Sequence, residues 1–150
     1  MFTIRKKFTF EAAHQLEKAH SKACTDCIHG HSYVVELYIK AWRRNDAGMV
    51  VDFGMLKAFI KDVNDMWDHA LILPKSLVAD YKPLTDSGKL KKVFIASENP
   101  TAEWMALELY YLLDAFLRGN IGGDCSVQKV RIHETDSGWA EYEEPKNENV

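Results

Sequence analysis

An α+β fold is expected from three observations. Two runs with alternating apolar positions lie next to each other at the start. Two segments with apolar residues at helical spacing occupy the middle, and one further alternating run closes the chain. Strands adjacent in sequence, with helices grouped between them and the last strand, favour an antiparallel sheet over a parallel βαβ array. The expected order is β-β-α-α-β. At 150 residues the chain is expected to be one domain, 1–150, without repeat or linker, ending in a polar tail over 143–150.

The first strand ends at His14 and carries Phe2, Ile4, Phe8, Phe10 and Ala12 on the same side as that histidine. A polar loop, Leu16 to Ile28, holds His20, Cys24 and Cys27 and leads to a strand opening at His29-Gly30-His31. Trp42 to Gly48 reads as a turn, and Met49-Val50-Val51 as a short extended piece. Asp52 is the expected N-cap of a helix whose stripe is Leu56, Phe59, Ile60, Val63 and Trp67, with Asp68-His69 just past its end. Residues 70–97 read as an irregular exposed excursion with a possible brief strand at Val93-Phe94-Ile95. Asn99-Pro100 reads as a cap with proline at the first helical position, and Gly119 as a C-cap. Met105, Leu109, Leu112 and Phe116 line that second helix. The last strand, Val127 to Thr135, alternates imperfectly, with Val130, Ile132 and Glu134 on one side. One face of such a sheet is covered by helices; the other needs a partner, so an oligomer is expected.

Composition removes several function classes. Hydrophobic content of 47% and a formal charge of −3 lack the basic field of a nucleic-acid binder. No apolar run approaches the roughly 18 residues that span a bilayer. The start, Met1-Phe2-Thr3-Ile4-Arg5-Lys6-Lys7, has no signal-peptide h-region, and three cysteines make no disulfide framework. A reducing cytoplasm is the expected setting.

The chemistry concentrates in histidines. Residues two apart on a strand share a face, so His29 and His31 point the same way. If the first two strands pair, His14 joins them, making an open tri-histidine zinc site with a position left for substrate. Taken singly, a histidine is an ordinary core or surface residue, and His20 is read so. The competing arrangement is the closed zinc staple of a non-enzymatic binding module, Cys24-x-x-Cys27-x-His29-x-His31, though four ligands within eight residues strain the chelate. The zinc-deaminase signature is absent. If the histidines hold metal, a neighbouring cysteine is free to act as a base, its thiolate favoured by the cation. Asp68-His69 offers an acid/base unit or merely polar helix-end groups. Glu134 is either a ring-binding carboxylate or a solvated strand end, and Cys125 an incidental thiol.

Six motifs occur together and in order: Phe10-Glu11-Ala12-Ala13-His14, Cys24 before His29-Gly30-His31-Ser32-Tyr33, Gly48-Met49-Val50-Val51-Asp52-Phe53, Asp68-His69, Asn99-Pro100-Thr101-Ala102-Glu103, and His133-Glu134-Thr135. From about residue 2 to 142 the chain resembles the 6-pyruvoyl-tetrahydropterin synthase / 6-carboxy-tetrahydropterin synthase family. The resemblance implies a tunnelling fold: a four-stranded antiparallel sheet with two helices on one face, three subunits closing a twelve-stranded barrel and two trimers forming a homohexamer. It implies Zn2+ on His14, His29 and His31, with 7,8-dihydroneopterin triphosphate as substrate. Cys24 is the implied base, with Cys27 as second choice, and His69 supported by Asp68 moves another proton. Glu134 anchors the pterin, helped by Thr101 and Glu103. The branch expected is the carboxy one, of the queuosine route to 7-deazaguanine, releasing acetaldehyde and triphosphate. The rivals are the pyruvoyl branch, which keeps the three-carbon side chain, and a hydroxymethyl branch.

Overall fold

Strands β1 (Phe2–His14) and β2 (His29–Ala41) pair antiparallel along their whole length, Phe2 opposite Ala41 and His14 opposite His29. The computed structural model describes residues 1–121 and 124–145; Gly122, Gly123 and the 146–150 part of the expected tail lie outside the described residues. Alternation along the pair sends Phe10, Ala12 and His14 inward with Tyr33, Val35, Leu37 and Ile39. The other face carries Arg5, Lys7, Tyr38 and a buried Glu36. Burial alone would raise the Glu36 carboxyl, but the Tyr38 hydroxyl, Arg5 and His133 outweigh it and hold that group below its usual range.

The sheet has six strands in the order β4 (Val93–Ala96), β3 (Ala70–Pro74), β1, β2, β5 (Cys125–His133) and β6 (Trp139–Tyr142). This corrects the four-stranded antiparallel expectation, although the α+β class stands. Strand β3 (Ala70–Pro74) lies within the supposed exposed excursion, yet all five residues are buried. It runs parallel to β1, with Ala12 opposite Ala70, and β4 (Val93–Ala96) runs parallel to β3. A strand covered on both faces is uniformly apolar and shows no alternation, so Ala70-Leu71-Ile72-Leu73 carries no period to read. Between β3 and β4 come a 3-10 turn (Lys75–Leu77) and helix α3 (Val78–Asp86), which tolerates Pro83 and buries none of its residues. The polar loop after β1 also contains a single-turn helix, α1 (Lys22–Asp26).

Helix α2 (Leu56–Trp67) buries Leu56, Phe59, Val63 and Trp67, while Ile60 is partly covered. Its start differs from expectation: Asp52 Oδ1 accepts from the Gly54 amide at 2.7 Å, closing a turn before the helix rather than capping it. Met49 to Val51 form no strand, and only Val51 is buried. In α4 (Ala102–Asn120) the cap is Thr101, whose side chain accepts from the Trp104 amide, so Pro100 precedes the cap and Gly119 lies inside the helix. Leu113 and Leu117 join Met105 and Leu109 on its buried stripe, with Leu112 and Phe116 at its margin. Both helices share one core, in which Phe59 meets Phe116 and Trp67 meets Trp104.

Strand β5 (Cys125–His133) pairs antiparallel with β2, and β6 (Trp139–Tyr142) with β5. Tyr38 faces Lys129 whereas Ile39 faces Val127, so Gln128 is an extra residue, a β-bulge. That bulge is why Val127 and Val130 are both buried and why the alternation is imperfect in the sequence. Among the described residues no helix is long and apolar enough to cross a membrane.

Candidate metal and proton-transfer site

The β1/β2 register sets the histidine cluster. His14 faces His29 directly, and His31, two residues on and opposite Ala12, is the diagonal neighbour on the same side. One ligand nitrogen from each of the three lies within 4.8 Å of the others. Gly30 between them is tight against β1: a Cβ there would come within 3.2 Å of the Ala12 carbonyl oxygen. The glycine therefore lets the two strands close where the imidazoles must meet.

Hydrogen bonding orients the rings. His14 Nδ1 donates to the Pro100 carbonyl at 2.8 Å, and His29 Nδ1 faces the Cys27 carbonyl at 3.3 Å. A carbonyl can only accept, so each neutral ring carries its proton on Nδ1 and turns a lone pair outward from Nε2. Those two Nε2 atoms are 2.9 Å apart, and His31 Nε2 is buried without a hydrogen-bond partner. Burial lowers the pKa of His14 to about 4, with Pro100 opposing and the other two histidines adding to the shift. Facing lone pairs repel unless a cation lies between them. Glu134 supplies a negative charge beside the same point, its Oε1 lying 3.7 Å from His14 Nε2 and 3.9 Å from His31 Nε2. Three convergent imidazoles, two of them with facing lone pairs and the third with an orphan nitrogen, and a nearby carboxylate fit a divalent cation, and the nitrogen donor set suits zinc. Neither Cys24 nor Cys27 belongs to this cluster.

The Asp68-His69 corner is built from backbone. His69 has φ of 59°, a left-handed conformation uncommon outside glycine. Its amide donates to the Glu11 carbonyl at 2.6 Å, the Glu11 amide donates to Asp68 Oδ1 at 2.8 Å, and the Asp68 amide closes α2 on Asn64. Asp68 Oδ2 then accepts from His69 Nδ1 at 2.8 Å, leaving Nε2 free. The Glu11 amide holds the Asp68 carboxyl below its usual range against the effect of burial, with His69 and Lys92 helping. A cleft of about 510 Å3 brings His69 and His31 to one space, with Glu11, Ser32 and Leu71 in its walls. His31 also lines a second cleft, of about 480 Å3, with Lys7, His133, Glu134 and Asp136.

The remaining candidates lie further out. Cys24 is half-buried and Cys27 exposed, both on the loop after β1, where the Leu16 amide donates to the Cys24 carbonyl at 2.9 Å. Ile28, which follows Cys27, reaches the larger cleft. Thr101 and Glu103 do not join the histidines within this chain. They line a separate groove with Glu98, Asn99 and Tyr142. Cys125 is half-buried, and burial raises its thiol.

Three residues inside the quoted motifs have supporting roles that the motifs do not reveal. The Pro100 carbonyl is a backbone group with no signature of its own. Asn99, read as a helix cap, instead accepts from the Glu17 amide and donates to the Lys18 carbonyl, tying down the loop. Tyr33 follows His31 by two residues, so face parity alone would have found it. Its hydroxyl is 3.4 Å from His14 Nδ1, and burial, then Glu134, pushes the phenol upward.

The profile of the 6-pyruvoyl tetrahydropterin synthase family matches residues 3–145. A relative from Helicobacter pylori called 6-carboxy-5,6,7,8-tetrahydropterin synthase is 32% identical over 92% of this chain and 70% of its own length. Relatives of the same name from Aquifex aeolicus and Haemophilus influenzae are 30% and 32% identical, matching 97% and 100% of their own lengths and 94% and 96% of this chain. Among solved structures, an uncharacterized protein from Wolinella succinogenes superposes with a TM-score of 0.83 at 20% identity, over 96% of this chain and 98% of that one. The Caenorhabditis elegans 6-pyruvoyl tetrahydropterin synthase gives 0.66 at 24%, over 96% of each chain. At these identities the structures speak for the fold alone.

Proposed function

We propose, from the premise that this chain belongs to the 6-pyruvoyl tetrahydropterin synthase family, that it is a zinc-dependent lyase forming 6-carboxy-5,6,7,8-tetrahydropterin. The substrate is 7,8-dihydroneopterin triphosphate, which with one water yields the carboxy-pterin, acetaldehyde and triphosphate. The observation that carries the metal half of this reading is the meeting of the His14 and His29 lone pairs at 2.9 Å beside the unpartnered His31 nitrogen. The names of the relatives favour the carboxy product over the pyruvoyl one.

His14, His29 and His31 would hold the ion, which when bound supplies Lewis acidity to the substrate's side-chain oxygens. The protein's own groups do the rest. A thiolate from the cysteine loop, Cys24 before Cys27, takes a proton from the substrate side chain. His69 moves a second proton at Nε2, because Nδ1 is committed to Asp68 and keeps the ring in one tautomer. Glu134 accepts from the amino-pyrimidine N–H groups of the pterin, two parallel bonds that a carboxylate can make at once. Thr101 and Glu103 complete the pterin contacts only if another subunit brings them there, which fits the homohexamer, a dimer of trimers, proposed for this fold. The cytoplasm and the queuosine route are the proposed setting.

Incubating the zinc-loaded protein with dihydroneopterin triphosphate and resolving the products tests the assignment. Acetaldehyde and a carboxy-pterin in equal amounts are expected. Triphosphate release with a pyruvoyl product and no acetaldehyde would place the chain in the other branch.

A further inference from the structure

We infer that Tyr81, acting through Gln15, is a positioning residue that clasps the cysteine loop against the end of β1. The excursion after β3 would thereby serve the site. The inference rests on the reading of that loop as the source of the catalytic base, and it adds residues which that reading does not use.

The contact runs across three elements. From α3 the Tyr81 hydroxyl donates to Gln15 Oε1, and Gln15 Nε2 donates to the Thr25 carbonyl in α1. Both ends of one amide are thus engaged, and the residue carrying it directly follows His14. The next residue repeats the grip through backbone, since the Leu16 amide binds the Cys24 carbonyl at 2.9 Å. Residues 15 and 16 therefore hold residues 25 and 24, next to the metal-facing histidine. Burial, then Asp80 and Cys27, pushes the Tyr81 phenol upward, so its hydroxyl stays a donor.

Both helices joined by this contact need it. Helix α1 has five residues, none of them buried, and no side-chain cap. One turn of helix has no stability of its own, because nucleation fixes several dihedrals for a single hydrogen bond. Helix α3 likewise buries no residue and contains Pro83, so hydrophobic packing does not explain its position. Its Tyr81, half-buried against Gln15, gives it a role.

Thiol alkylation tests the clasp on the full chain with zinc present. Cys24 and Cys27 are followed by iodoacetamide labelling and peptide mass, with Cys125 as the internal reference. Tyr81→Phe removes the donor to Gln15. Gln15→Glu keeps an acceptor for Tyr81 but removes the donor to Thr25. Each variant should speed Cys24 labelling roughly five- to tenfold, the opening expected from one lost hydrogen bond. The double variant should be no faster than the faster single one, because the two residues act in series. In turnover, kcat should fall while KM and zinc content hold. Unchanged Cys24 labelling in Tyr81→Phe overturns the proposal, as do effects that multiply in the double variant or an equal rise at Cys125. Labelling needs no substrate, so a failed clasp in a protein that still makes the carboxy-pterin leaves the proposed function intact. A clasp that holds in a protein without turnover supports the contact and counts against the proposed function instead.

Discussion

His14 and His69 occupy opposite extremes of the same neighbourhood. The His14 side chain is 1% exposed, ends a thirteen-residue strand and has its ring pinned to the Pro100 carbonyl. The His69 side chain is 77% exposed and leans on Asp68 alone, yet its backbone is held in a left-handed conformation by bonds to Glu11. A metal ligand must hold one lone pair at one point, and burial in a strand end does that. A proton carrier needs solvent access while its position stays fixed, and a tied backbone with an exposed ring held only at Nδ1 provides both. The left-handed residue costs about 1 kcal/mol, which the surrounding hydrogen bonds sustain.

Removing each side of this contrast should have distinct consequences. The largest effect is expected from His14→Ala: zinc content falls well below one per chain and turnover drops at least ~1,000-fold, read by metal analysis and product assay. Full zinc retention in that variant would break the contrast at its buried end. Cys24→Ala should cost nearly as much activity, on the order of 1,000-fold, while zinc stays near one per chain. If Cys27→Ala is the inactive variant instead, the two thiols exchange roles. For His69→Ala the expected loss in kcat is roughly 100-fold or more, again with zinc unchanged. Asp68→Asn should fall between that and the parent, because the ring loses its orienting charge but not its position.

Acid stability sharpens the comparison from the other side. In metal-stripped protein the folded chain keeps His14 neutral down to about pH 4, while the unfolded chain takes up that proton near its ordinary value of 6.5. Between these values the unfolded state binds more protons, so stability falls as pH drops from 6.5 toward 4, and this contribution levels off below. The loss is on the order of 3 kcal/mol, measurable as the difference between the parent and His14→Ala in urea unfolding at several pH values. A parent that gains stability over that window relative to the variant would contradict the burial argument.

Periodicity made the two long strands and the shared face of His14, His29 and His31 legible, because a half-buried antiparallel pair writes its geometry as alternation. The same rule hid β3, where Ala70 to Pro74 is covered on both sides and has nothing to alternate. Pro83 and the lysines around it drew attention to irregularity in a segment that contains a helix. Asp68-His69 was visible as a dipeptide, but its left-handed corner depends on the Glu11 backbone, 57 residues away from Asp68. The clamp on His14 was similarly illegible, since a carbonyl belongs to every residue. A helix start was readable at Asn99-Pro100, two residues before the actual Thr101 cap, yet where Thr101 stands relative to the histidines depends on chain packing and subunit assembly.

X-ray absorption at the zinc edge on the purified protein reaches the central claim without substrate or mutation. One zinc per chain is expected, with three imidazole nitrogens, a further nitrogen or oxygen neighbour, and no sulfur. Two sulfur neighbours would mean that Cys24 and Cys27 close the shell with His29 and His31, making the metal a structural staple rather than the centre of an active site.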